Sequence, residues 1–294
     1  MSLVDPCCAG LAKAFLMRTR RHPAGSKPSR DPMFRREGSS FDLRNIREYY
    51  PTDDPRRVDW RLEARTGRLF VKEYYEEERD GVVVLVDLSL SLEALADAAS
   101  RGAGQDFAAK AAESTSASIA WTLGALGEPV FLLAFAARPL RALEKPRGGL
   151  GSRELDSFFQ GIGPEERRGT AITQAARSAR RRSRYGRAII VSDFLDPNFD
   201  PDALPFRKLY FVRLHRDFRR LAGAATDIEV EDNESGRRLL LPWDGKERNN
   251  YEERLRELET SLAAGGRRRS FFASIGGQED LPAALGALLE AFHA

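Results

Sequence analysis

Four short runs of nearly unbroken apolar residues limit what this chain can fold into. They are VVVLV at 82–86, PVFLLAFA at 129–136, and the apolar centres of RAIIVSD (187–193) and KLYFVRL (208–214). Runs this short, rich in Val, Ile, Leu and Phe, read as strands buried on both faces, because a strand with one wet face would alternate apolar with polar residues. Helical patterns lie between them. A helix over roughly 106–126 places Phe107, Ala111, Ile119, Leu123 and Leu126 near one face, and TAITQAARSARRRSR is a second. RPLRAL reads as the antiparallel hairpin partner of PVFLLAFA. A short strand RRLLLPW, a charged helix around YEERLRELETSLAAG, a strand RRSFFASI and a closing helix LPAALGALLEAF follow. Alternating strands and helices predict an α/β fold, a mostly parallel, doubly wound sheet with helices on both faces.

The flanking sequence reads differently. Residues 1–33 include HPAGSKPSRDP and carry no long period, so they are expected to form a mobile arm with room for one short helix. Residues 34–80 are dense in charge and aromatics. Their tail RLFVKEYYEEE reads as a strand that RDG would turn back into VVVLV as a β-hairpin. The expected organisation is therefore an arm at 1–33, a charged and aromatic segment at 34–80, and an α/β domain at 81–294.

Composition narrows the functional classes. The chain is 42% hydrophobic, enough for a core, and its net charge of +3 does not by itself mark a nucleic-acid binder. The two cysteines, Cys7 and Cys8, are adjacent and build no disulfide framework, which suits a reducing compartment. No apolar run approaches the roughly 20 residues that span a bilayer. GLAKAFLM precedes the arginines of RTRRH, the reverse of a secretory signal. A soluble cytoplasmic protein is expected.

In such sheets functional groups gather beyond the carboxyl ends of the strands. VVVLV runs into DLSLS, so Asp87 ends one strand with Ser89 and Ser91 just beyond, and Asp193 ends RAIIVSD in the same way. Thr170 is expected to open the helix before that second strand, after a Gly169 that allows a sharp entry. Asp87, Ser89, Ser91, Thr170 and Asp193 offer hydroxyl and carboxylate oxygens only. That set suits a hard cation such as Mg²⁺ or Mn²⁺, and the lack of His or Cys argues against zinc. The plainer reading is that these small polar residues cap helices, since Asp, Ser and Thr are preferred N-caps.

The triplet DLSLS, the GT of RRGTAI and the SD of IIVSDF resemble the metal-ion-dependent adhesion site of von Willebrand factor A domains. The block EYYPTDDPRRVDWRLEARTGRLFVKEYYEEE resembles the hallmark of the bacterial proteins catalogued as domain of unknown function 58, close to R-x-Y-x-P-G-D-D-x-R-x-I-D-W-x-x-S-A-R. The likeness covers roughly 34–290. It departs at Thr52 and Glu63 but retains Asp53, Asp54, Arg56, Asp59, Trp60, Ala64 and Arg65. Longer relatives carry two transmembrane helices ahead of this block, and this chain resembles the soluble form. The resemblance implies a von Willebrand A-like fold, with Asp87, Ser89, Ser91 and Thr170 around a Mg²⁺ or Mn²⁺ ion and Asp193 holding a coordinated water. It further implies a partner carboxylate at the open coordination position. Family genes commonly lie beside those of MoxR-type AAA+ ATPases, which implies an adaptor or co-chaperone role with such a partner.

Other readings stay open. In the hallmark segment, Asp–Arg pairs with a buried Trp60 would brace an irregular stretch whose backbone groups need partners, whereas an exposed Trp60 would suit a docking surface. RSARRRSRYGR could contact phosphates, but its arginines follow a helical face that solvent would cover equally well. The same oxygens could serve a metal-dependent phosphohydrolase, although such sites usually gather more carboxylates. His22, His215 and His293 sit in no recognisable motif, and no P-loop, G-x-S-x-G or H-E-x-x-H is present. A non-enzymatic, metal-dependent interaction module is the expectation; a phosphohydrolase and a nucleic-acid binder are the alternatives.

Overall fold

The computed structural model describes residues 2–19, 36–51, 53, 58–76, 79–95, 105–145, 149–215, 227–231, 238–242, 244–264 and 270–293. It divides into two compact units, one of residues 1–24 and 80–294 and the other of 25–79.

The larger unit is built on six strands: β3 (Arg79–Asp87), β4 (Val130–Phe135), β5 (Pro139–Lys145), β6 (Tyr185–Ser192), β7 (Lys208–Leu214) and β10 (Ser270–Ile275), in the spatial order β10-β7-β6-β3-β4-β5. The pairs β10/β7, β6/β7 and β3/β4 are parallel, and β4/β5 is antiparallel. Each of the four apolar runs read from the sequence is one of these strands. Strand periodicity splits their side chains between two layers. Val82, Val84, Val86, Leu132 and Ile189 pack in one, with α1 (Cys7–Thr19), α3 (Gln105–Ala125), α4 (Ser152–Phe159) and α7 (Leu281–His293). Val83, Leu85, Phe131, Ile190 and Phe211 pack in the other, with α5 (Ile172–Ser183) and α6 (Gly245–Ala264). The architecture is a mixed α/β fold around a mostly parallel six-stranded sheet. No helix of the described residues is long and apolar enough to cross a membrane.

Strand order positions the site. From β3 the chain proceeds to β4 and β5 on one side, whereas β6, β7 and β10 build outward on the other. The connections leaving β3 and β6 therefore depart in opposite directions and open a crevice at the carboxyl ends of two adjacent central strands. Glycine is required at the opposite, amino-terminal end of β3, where Gly81, at φ +153°, runs so close to Tyr185 that a Cβ would lie 2.7 Å from the ring.

Two expectations are corrected here. Within the expected mobile arm, Cys7–Thr19 form the helix α1, which docks on the core, while 20–33 lie outside the described residues. Cys8 is fully buried and Ala12 nearly so, one turn apart, and the half-buried Leu11 and Phe15 widen the apolar stripe that α1 sets against the core. Polar bonds fix the docking: Asp5 N–H donates to Ser118 Oγ (2.9 Å), Ser114 Oγ to the Leu3 carbonyl (2.8 Å), and Leu3 N–H to Asp156 Oδ1 (2.8 Å). Burial and the neighbouring Asp5 push the Cys7 thiol up to about 12, so it stays a thiol at neutral pH.

The second correction concerns the strand before β3. β2 (Phe70–Glu76) pairs antiparallel with β1 (Arg36–Glu48) rather than forming a hairpin with β3. This ribbon is the sheet of the smaller unit. The short helix α2 (Trp60–Thr66) sits in the connection between its strands. A second two-stranded pair, β8 (Asp227–Glu231) with β9 (Arg238–Pro242), lies in the larger unit.

Candidate functional site

β3 delivers Asp87 into the crevice with no exposed surface. Its Oδ1 accepts the Ser89 amide at 2.9 Å, which bends the chain away from the strand. Its Oδ2 accepts two hydroxyls, Thr170 Oγ1 at 3.0 Å and Ser192 Oγ at 2.7 Å. Ser89 Oγ lies 2.8 Å from Ser91 Oγ. Arg167 Nε donates to the Leu88 carbonyl at 2.6 Å and fastens the same turn from outside. The Ser89 and Ser91 hydroxyls thus turn to each other at the start of the 3₁₀ helix Leu90–Leu95.

Thr170 reaches the crevice because Gly169 adopts φ +71°, a left-handed conformation that suits glycine. It stands one residue ahead of Ala171, the N-cap of α5, which makes no side-chain cap bond. Thr170 therefore precedes the helix rather than opening it. Asp196 does part of the capping from a distance, its Oδ2 accepting the Ile172 amide at 3.2 Å.

Asp193, just beyond β6, is 3% exposed. Its Oδ1 accepts the Leu195 amide at 3.0 Å, and its buried Oδ2 has no hydrogen-bond partner. The next residue, Phe194, adopts φ +59°, which is strained for an aromatic residue. Its ring is held by Phe199 and Phe211 at centroid distances of 5.4 and 5.5 Å, and its amide donates to Ser192 Oγ at 3.0 Å. A bulky residue kept in this conformation turns the chain sharply just after the carboxylate.

The electrostatics follow from this placement. Burial raises the Asp87 carboxyl, the Asp193 charge raises it further, and hydrogen bonds from Ser192 and Ser89 offset part of the effect, leaving it pushed up to about 6. Asp193 is also raised, chiefly by burial, with the Leu195 amide, the nearby Ser91 hydroxyl and the Arg213 guanidinium pulling it back. Two carboxylates thus share a dry crevice with neutral hydroxyl donors around them. Such a place favours a proton or a cation.

The structure brings Asp87, Ser89, Ser91, Thr170 and Asp193 to one end of the sheet. Sequence reasoning missed Ser192, whose hydroxyl bonds Asp87 directly, and Asp196. Both stood in view within SDFLD, Ser192 at the end of the same apolar run and Asp196 one turn beyond Asp193.

The hallmark residues have a different geometry. Asp53 takes two 2.7 Å bonds from Arg47 and the Tyr50 amide at 2.8 Å, a brace between strand end and turn. Asp59 is the N-cap of α2, accepting the Arg61 and Leu62 amides. Val58 bridges to Val71, and both are buried. Trp60 corrects the bracing expectation: it is 61% exposed, and α2 buries none of its residues. Arg65 is exposed as well, while Asp54 and Arg56 lie outside the described residues.

Comparison with curated proteins finds no match. Among solved structures, the chain is similar to proximal thread matrix protein 1 from the mussel byssus, at 11% identity and a TM-score of 0.37, over 73% of this chain and 48% of that one. It is also similar to the PilB minor pilin of Streptococcus sanguinis, at 12% identity and a TM-score of 0.36, over 78% and 66%. The chain thus spans about half of the first and two-thirds of the second, and likeness this slight carries no functional inference. The sequence relationship is firmer, because the model of the family described as "Protein of unknown function DUF58" matches residues 45–261, most of the chain, and the protein belongs to that family.

Proposed function

We propose that this protein is a cation-dependent protein-interaction module with a von Willebrand A-like α/β domain. Asp87, Ser89, Ser91 and Thr170 hold a Mg²⁺ or Mn²⁺ ion there, and Asp193 holds one of its waters. The observation that carries the reading is the buried Asp193 Oδ2, which has no partner while the neighbouring Asp87 is already raised by burial and by that same charge. A buried acceptor without a partner is costly, and a hydrated cation would relieve both carboxylates at once. The donor set fits. Among the described residues no group of three or more His, Cys, Asp and Glu is placed to hold a metal, so hydroxyls would supply the remaining protein ligands, as a hard ion that keeps several waters accepts.

When bound, the ion supplies a fixed positive charge able to take an oxygen ligand from outside the chain. The protein's own part is to keep that charge rigid and dry, through the turn at Ser89, the Arg167 tether and the strained Phe194. A partner carboxylate is the natural occupant, and a MoxR-type AAA+ ATPase is the proposed class of partner. The test is isothermal titration with MgCl₂ followed by pull-down against such an ATPase. Asp87→Ala should abolish metal binding, and EDTA or Thr170→Ala should weaken the complex without unfolding the protein. Equal metal binding by wild type and Asp87→Ala would overturn the reading.

A further inference from the structure

We infer that Arg213, held by Glu259, acts as a resident competing charge that sets how tightly the crevice holds its cation. The inference rests on the cation reading above. Arg213 lies on β7 directly beside Ser192 of β6, one residue from Asp193, and is 4% exposed. Its side chain lies in the layer of Phe211 and Leu209, which α6 covers through Leu258 and Leu262. From α6, Glu259 Oε1 accepts Arg213 Nη1 at 2.6 Å. Arg213 Nε is buried without a hydrogen-bond partner, and so is Asp193 Oδ2 one strand away.

Two buried groups of opposite sign thus lie close together, unbonded to each other. A guanidinium buried this far is retained at a cost unless it offsets charge. On one side it offsets Glu259. On the other its field draws the Asp193 carboxyl down against burial. A divalent ion entering the crevice meets the attraction of Asp87 and Asp193 and the repulsion of Arg213, while Glu259 partly neutralises Arg213. Affinity should therefore follow the net charge of the Arg213–Glu259 pair, because Coulomb energy falls only as the inverse of distance in a poorly screened interior.

The measurement is Mg²⁺ and Mn²⁺ titration calorimetry on the full chain, with metal-free thermal melts of each variant. Arg213→Gln should tighten binding roughly tenfold, Glu259→Gln should weaken it by a similar factor, and Arg213→Lys should stay near wild type. Opposite signs from the two ends of one ion pair distinguish charge tuning from loss of structure, which would weaken binding in both variants. If Arg213→Gln does not fold, the half-exposed Glu259 carries the test alone, in the order Glu ≈ Asp, then Gln, then Lys. Gln and Lys variants that bind like wild type, or weakening in both Gln variants, would overturn the inference. Wild type that binds no better than Asp87→Asn removes the cation reading itself, and this inference with it.

Discussion

In the smaller unit Asp53 meets the Arg47 guanidinium through two short bonds and adds the Tyr50 amide, and its carboxyl is drawn down to about 2, first by the Arg47 hydrogen bond. At the end of β3, Asp87 has neutral donors only and a second carboxylate for a neighbour, and it rises to about 6. The same side chain is satisfied in one place and frustrated in the other. Satisfied carboxylates brace; a frustrated pair in a crevice marks a position where charge is still to be supplied from outside.

The largest test of this contrast is the pH dependence of stability. Asp87 is raised above its unfolded value of 3.8, so its contribution is fully present below pH 3.8 and lost as pH rises through about 6. Asp53 runs the other way, present above pH 3.8 and lost as pH falls through about 2. Between pH 4 and 7, metal-free protein should lose on the order of 3 kcal/mol that Asp87→Asn does not lose. Parallel pH profiles from chemical denaturation would break the contrast.

A smaller effect is expected at Ser192. Ser192→Ala takes a 2.7 Å donor from a buried carboxylate and should cost about 1–3 kcal/mol at pH 7, less at pH 4 where Asp87 is protonated. A pH-independent loss would make Ser192 a packing residue only. The smallest is at Trp60, where truncation to Ala should change stability within about 0.5 kcal/mol because the ring is largely exposed. A drop of several degrees in its melting temperature would return Trp60 to the brace.

Much of this was legible in the residues. Buried parallel strands announce themselves as short apolar runs, and the carboxylates at their ends stand out because nothing apolar follows. The elements that were missed owe their structure to partners. β1, REGSSFDLRNIRE, has no clear alternation and is a strand through its pairing with β2. The docked face of α1, Cys8, Leu11, Ala12 and Phe15, has helical spacing but is short, and its docking depends on Ser114, Ser118 and Asp156 far along the chain. Trp60 misled for the opposite reason. A tryptophan is expected inside, but here it starts a two-turn helix with no buried face. The site set Asp87, Ser89, Ser91, Thr170 and Asp193 could be read from strand ends, whereas the bond from Ser192 to Asp87 and the place of Arg213 beside it follow only from β6 lying between β3 and β7.

The switch in strand order also governs when the crevice comes into being. Asp87 and Ser192 are 105 positions apart, yet they occupy neighbouring strands. Translation at roughly 5–20 residues per second leaves β3 waiting several seconds or longer for β6 to leave the ribosome. Until β6 is available, β3 lacks its neighbour on one edge, and Asp87 lacks both the Ser192 hydroxyl and the opposing Asp193. Closing that edge is what brings the two acids together, so the repulsion between them arises in the same step that completes the sheet.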